Sequence, residues 1–154
     1  MKHFLLAASM LAFAAGASGA GWEDVKTVYL LPMSNGLDQY LAIRLTTGAT
    51  MQVVTDPQKA DAVMTDHLGQ SFEEKLDEYY SPKPKAEDSK DSTQTFARVG
   101  SGMHPRGAAF LVNRKTRDVI WSTYARPKNT TPEGLRQAAD KIGAELDKAI
   151  HPGK

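Results

Sequence analysis

The 154-residue chain reads as an α/β (α+β) protein. It has a single mixed sheet of three to five strands covered by two main amphipathic helices, in the order β-α-β-β-(α)-loop-β-β-α. Three observations lead there. Short β-branched runs alternate with stretches of helical period. A strand-helix-strand opening makes the first two strands parallel, if they are neighbours, through a right-handed crossover. Two late apolar runs flank the polar "NRKTRD", the pattern of an antiparallel hairpin.

The first twenty residues, "MKHFLLAASMLAFAAGASGA", place Lys2 before an apolar run over 4–15, with small residues at Ser18 and Ala20. That is the pattern of a secretory signal peptide, and the run is too short for a comfortable membrane span. Residues 1–20 are therefore expected to be removed, leaving 21–154 as a single α/β domain; a cut after Ala17 is the alternative. The short n-region and Ala-rich run point to a periplasmic or secreted address, with no membrane insertion after cleavage. There is no cysteine, which excludes disulfides, thiolate metal sites and a cysteine nucleophile. Nineteen Lys plus Arg face eighteen Asp plus Glu, so the basic excess that nucleic-acid binding draws on is missing. The "NTT" at Asn129 reads as a polar turn before a helix.

"VKTVYLLPM" has a nearly continuous apolar centre stopped by Pro32, the mark of a strand covered on both faces. In "SNGLDQYLAIRLTTG", Ser34 or Asn35 is placed to cap a helix and Gly48 to end it. Leu37, Tyr40, Leu41 and Leu45 form its buried stripe, with Asp38, Gln39 and Arg44 outside. "MQVVT" is a second strand. Asp56 then caps at most one helical turn, "PQKA", because Pro57 suits a first helical position. "ADAVMTDHL" resumes as a strand. "GQSFEEKLDEYY" fits a short helix through Phe72, Leu76 and Tyr79 or Tyr80, in preference to an extension of the sheet edge.

The segment 81–107 loses apolar periodicity and is rich in Pro, Ser, Lys, Asp and Gly, so a long exposed flexible loop is expected. Its "GSGMHPRG" lacks the lysine and hydroxyl of a phosphate loop. The hairpin runs 108–112 and 119–124 follow, with Trp121 facing a helix and Ser122 and Tyr124 on the other face. "TTPEGLRQAADKIGAELDKAI" closes the domain as a long amphipathic helix. Thr130 or Thr131 is its cap, and Leu135, Ala138, Ala139, Ile142, Leu146, Ala149 and Ile150 form its stripe.

Candidate chemistry centres on Asp56, Asp61 and Asp66, spaced by five, with His67 after the last. Five residues turn a helix by about 500°, which puts neighbours roughly 140° apart. In a strand an odd step puts them on opposite faces. Neither gathers the three carboxylates, and His67 lacks a second histidine at ligand spacing. Asp56 is therefore assigned to a cap, and Asp61 and Asp66 to solvated turn and strand-end positions. A small hydrolase would have to use Ser101, His104, His67 and the aspartates, but no G-x-S-x-G, H-E-x-x-H or Ser-x-x-Lys motif is present. No catalytic, cofactor-binding or metal-ligating residue is assigned and no cofactor is expected.

Taken in order, "VYLLP", "LDQYLAIRLTT", "MQVVTD", "KADAVMT" and the hairpin "AAFLVNRKTRDVIWSTY" resemble the α/β domain of the TolB amino terminus and of CsgG-like curli-secretion proteins. The resemblance covers most of 25–124, with 81–107 as an insertion. It implies a non-catalytic binding or assembly domain of the cell envelope whose partner is another envelope protein. The chain departs from those families in having no propeller, pore-forming hairpins or lipid-anchoring cysteine, and no family site residue maps onto it.

Overall fold

In the computed structural model, which describes residues 21–22, 24–81 and 106–153, five strands form one mixed sheet in the order β2-β1-β3-β4-β5. The strands are β1 Thr27–Leu30, β2 Gln52–Val53, β3 Ala62–Thr65, β4 Ala108–Asn113 and β5 Val119–Tyr124. The helices are α1 Leu37–Thr47, α2 Gln70–Tyr80 and α3 Pro132–Ile150. β1 pairs in parallel with both β2 and β3; β3–β4 and β4–β5 are antiparallel. The expected signal peptide and nearly all of the expected loop lie outside the described residues, and so do Ser101 and His104.

Helices cover both faces, and the strand period of two explains how. On one face Val28, Ala62, Met64, Ala109 and Leu111 meet Leu37, Leu41 and Leu45 of α1 and Leu135, Ile142 and Leu146 of α3. On the other, Val63 and Val112 with Leu31 meet Phe72 and Leu76 of α2. All four residues of β3 are buried, as befits a strand between two helical layers. α1 and α3 approach closely because Gly143 leaves room for the Arg44 side chain, whose Cγ lies 2.7 Å from where a Cβ would stand. Arg44 Nε then reaches Asp140 at 3.6 Å.

The element order and both main helices are as the residue pattern indicates, with local corrections. Neither Ser34 nor Asn35 caps α1. Ser34–Gly36 form a separate 3₁₀ turn, and Gly36 precedes the helix with φ 75°. The turn is drawn instead toward β3, as described below, and Asp38 Oδ1 accepts the Met33 N–H at 3.0 Å. Gly48 ends α1 in ordinary helical geometry, and the left-handed residue is Ala49, φ 50°. Asp56 caps as expected, accepting Gln58 N–H at 2.9 Å beside Pro57. Thr131 caps α3 by accepting from Gly134 N–H.

The hairpin holds one irregularity. Leu111 pairs with Trp121 and the next residue, Val112, pairs with Val119, so Ile120 is extra. Two residues oppose one at a β-bulge. Both Ile120 and Trp121 consequently pack on the α1–α3 side of the core. Arg117 at the hairpin turn binds Glu73 at 2.9 Å and Asp77 at 2.8 Å, fastening the turn to α2.

Candidate functional site

The three aspartates do different work in three places. Asp61 and Asp66 bracket β3, and five residues of strand separate them by about 16 Å. Asp61 sits where β3 begins. Its Oδ2 accepts Lys26 N–H at 3.1 Å, Thr27 N–H at 3.0 Å and the Thr27 hydroxyl at 2.8 Å. The same hydroxyl oxygen accepts Asp61 N–H at 2.9 Å. Burial pushes this carboxyl up, but the Thr27 and Lys26 donors outweigh it and hold Asp61 below its ordinary value.

Asp66 sits where β3 ends and is 5% exposed. Its Oδ2 accepts Ser34 N–H at 2.7 Å, and its Oδ1 lies 2.7 Å from His67 Nδ1. Burial again pushes the carboxyl up, and the Ser34 amide, the His67 ring and the Ser34 hydroxyl together bring it below the ordinary range. The assignment of Asp66 to a solvated position is thus corrected, whereas Asp61 is a half-buried turn group held by hydrogen bonds. Their places in the chain are right; parallel pairing of β1 with β3 brings backbone donors from either side of β1 against both, and Asp66 is buried there.

Asp66, His67 and Ser34 lie at the carboxyl end of the parallel strands, where open α/β sheets hold their ligands. Their order argues against nucleophilic catalysis. A serine nucleophile needs the imidazole between itself and the carboxylate. Here the carboxylate lies between Ser34 and His67, the reverse of that order. Asp66 acts instead as a tether for the turn that follows β1. Among the described residues, no three His, Asp or Glu side chains lie close enough to hold a metal ion.

The same end of the sheet carries a feature that motif reading missed. Ala125 N–H donates to Gly107 O at 2.8 Å, and Ala108 pairs with Tyr124. Arg106 and Arg126 therefore face each other at the open end of the hairpin. Gly107 makes this possible: at φ +95°, a Cβ there would stand 2.3 Å from Ala125 O and 2.9 Å from Arg126 Cα. Arg106, Arg126, Lys128, Asn129 and Asn35 line a cavity of about 120 Å³. Arg126 and Lys128 also border a neighbouring cavity of about 280 Å³ that reaches Lys141. Among the described residues, no carboxylate lines either one. The hairpin register alone would have paired Arg106 with Arg126; Asn35 comes to the cavity only through the fold.

The far edge of the sheet is β5. Its six residues carry no charge, proline or glycine, and Val119 and Tyr124 are 46% and 52% exposed. Since Ala125 N–H points to β4, Thr123 and Trp121 do so by alternation. The N–H and C=O of Ser122 and Tyr124 then point outward.

No family model, curated protein or solved structure matches the chain.

Proposed function

We propose that this protein is an exported, non-catalytic binding module of the cell envelope, whose β5 edge takes up an extended segment of another envelope protein. The observation that carries this reading is β5 itself. Edge strands that stay single are ordinarily guarded by lysines, prolines or extreme shortness. β5 is six residues long and uncharged, in a chain of which 24% is charged. An uncharged partner segment of β-forming residues matches it, adding main-chain hydrogen bonds at Ser122 and Tyr124 and apolar contact at Val119 and Tyr124. Export rests on the sequence of residues 1–20. The choice of another envelope protein as partner rests on the likeness to TolB and CsgG-like domains together with the export signal.

The test places a photo-crosslinking amino acid at Tyr124 in the protein expressed in its own envelope. One discrete adduct is expected there and none from the same probe at Ala144, an exposed residue of α3. Ser122→Pro removes an outward N–H and should abolish the adduct; Ser122→Lys serves if the proline variant does not fold. An adduct that survives both variants, or no adduct from exported protein, overturns the reading.

A further inference from the structure

We infer that the cavity between Arg106 and Arg126 is a binding site for a phosphoryl group. Several observations converge on it. Like charges opposite one another across paired strands are destabilising, yet Arg106 and Arg126 flank the Gly107–Ala125 hydrogen bond just past the last ladder pair. A positive-φ glycine that tolerates no Cβ holds their backbones together. Lys128 completes the wall, and none of the three makes an ion pair among the described residues. The charge is locally concentrated in a chain whose formal net charge is only +1. The cavity is concave and its described lining is free of carboxylates, and its position is the carboxyl end of the parallel strands.

Guanidinium groups favour this ligand class. Each offers a planar fork of donors that fits two oxygens of a phosphate, and two forks approaching from opposite strands can engage a tetrahedral anion on separate edges. Lys128 adds a point charge. The Asn129 Oδ1 accepts Thr131 N–H at 3.3 Å and the Thr131 hydroxyl at 2.6 Å, which fixes the amide and leaves its NH₂ as a further donor. Asn35, at φ 58°, holds a left-handed conformation at the cavity rim. An anion seated there removes the Arg106–Arg126 repulsion, so binding and local stability rise together. The inference is independent of the β5 edge.

The experiment is a titration of the purified protein with inorganic phosphate, followed by amide chemical shifts, against sodium chloride at matched ionic strength. Saturable shifts are expected at Arg106, Gly107, Arg126, Lys128 and Asn129 with phosphate and not with chloride. Arg126→Ser should weaken binding about tenfold or more; Lys148→Ser, at the far end of α3, should leave it unchanged. If Arg126→Ser fails to fold, Lys128→Ser on the exposed loop gives the same reading. Flotation with phosphatidylglycerol vesicles, against phosphatidylcholine, separates two sources of the group. Binding to the anionic vesicles that free phosphate displaces assigns a lipid headgroup. Phosphate binding without vesicle binding assigns a soluble phosphorylated ligand, and both uphold the site. Absence of saturable shifts, or shifts that Arg126→Ser and Lys128→Ser leave intact, overturns it.

Discussion

The carboxylate of Asp66 holds the backbone of Ser34 across 32 positions of sequence, at 2.7 Å. This contact ties the end of β3 to the turn that starts α1, and the carboxylate is nearly closed to solvent. A hydrogen bond to an ionised group contributes about 1.5–3 kcal/mol, against about 1 kcal/mol for a neutral one. Asp66→Asn is therefore expected to cost about 2 kcal/mol in urea unfolding. Asp56→Ala should cost about 0.5–2 kcal/mol, as a lost cap does. A cost for Asp66→Asn within about 0.5 kcal/mol, the level of an ordinary surface change, would show that the tether is dispensable.

Acid should reveal Asp61 and Asp66 together. Both folded-state values lie below the ordinary 3.8. A depressed carboxyl contributes stability that is present above the unfolded value and is lost as pH falls through the folded one. Stability should therefore decline on acidification below about pH 4, and the decline should be shallower in Asp61→Asn and Asp66→Asn. Urea midpoints measured across that range check the slope; identical slopes in wild type and both variants would rule the linkage out.

Gly107 and Gly36 offer a matched contrast. Both have positive φ, but a Cβ at Gly36 meets nothing within 4 Å, whereas one at Gly107 overlaps the Ala125 carbonyl. Gly36→Ala should carry only the left-handed backbone penalty, about 1–2 kcal/mol. Gly107→Ala should cost more, about 3 kcal/mol, because the hairpin mouth must also open. Thermal unfolding of the two variants gives the comparison directly, and equal losses would refute the close-approach argument.

Tyr80 has a buried hydroxyl with no hydrogen-bond partner among the described residues, and Arg114 lies 5.2 Å from its ring. Burial pushes its pKa up to about 12, with the nearby Arg114 charge pulling in the opposite direction. Removing an orphan hydroxyl relieves its desolvation cost, so Tyr80→Phe should be neutral or stabilising. The raised value also makes a signed prediction. The unfolded phenol loses its proton near 10 and the folded one near 12. The contribution is thus intact below pH 10 and fades between the two values. Ultraviolet titration of wild type against Tyr80→Phe should show one late-titrating tyrosine missing from the variant.

Elements whose order is encoded locally were legible in the sequence. α3 announces itself by Thr131, Pro132 and a stripe from Leu135 to Leu146, and the hairpin by two β-rich runs around a polar turn. The cap at Asp56 follows from Pro57 alone. What depends on neighbours distant in sequence was not legible. Asp66 looks like a solvated strand end until β1 is known to lie beside β3. Ser34 looks like a helix cap until Asp66 is seen to hold it. The extra residue Ile120 leaves no local mark, because "VIW" is as good a plain strand as a bulged one. Arg106 and Arg126 are adjacent only once the hairpin register is extended past its last pair.

The sheet order also divides the chain in an unusual way. β1, α1, β2, β3 and α2 come from one continuous stretch and β4, β5 and α3 from another. The two stretches meet along the β3–β4 ladder and where α3 lies on α1. Each half alone leaves a strand edge and a helix stripe without a mate, and these are complementary. The ladder pairs Ala62–Thr65 with Phe110–Asn113, so a cut in the chain between α2 and β4 leaves these pairs to be remade between two fragments. The two fragments are thus poised to reassociate as a split protein, with the β3–β4 seam as their recognition code.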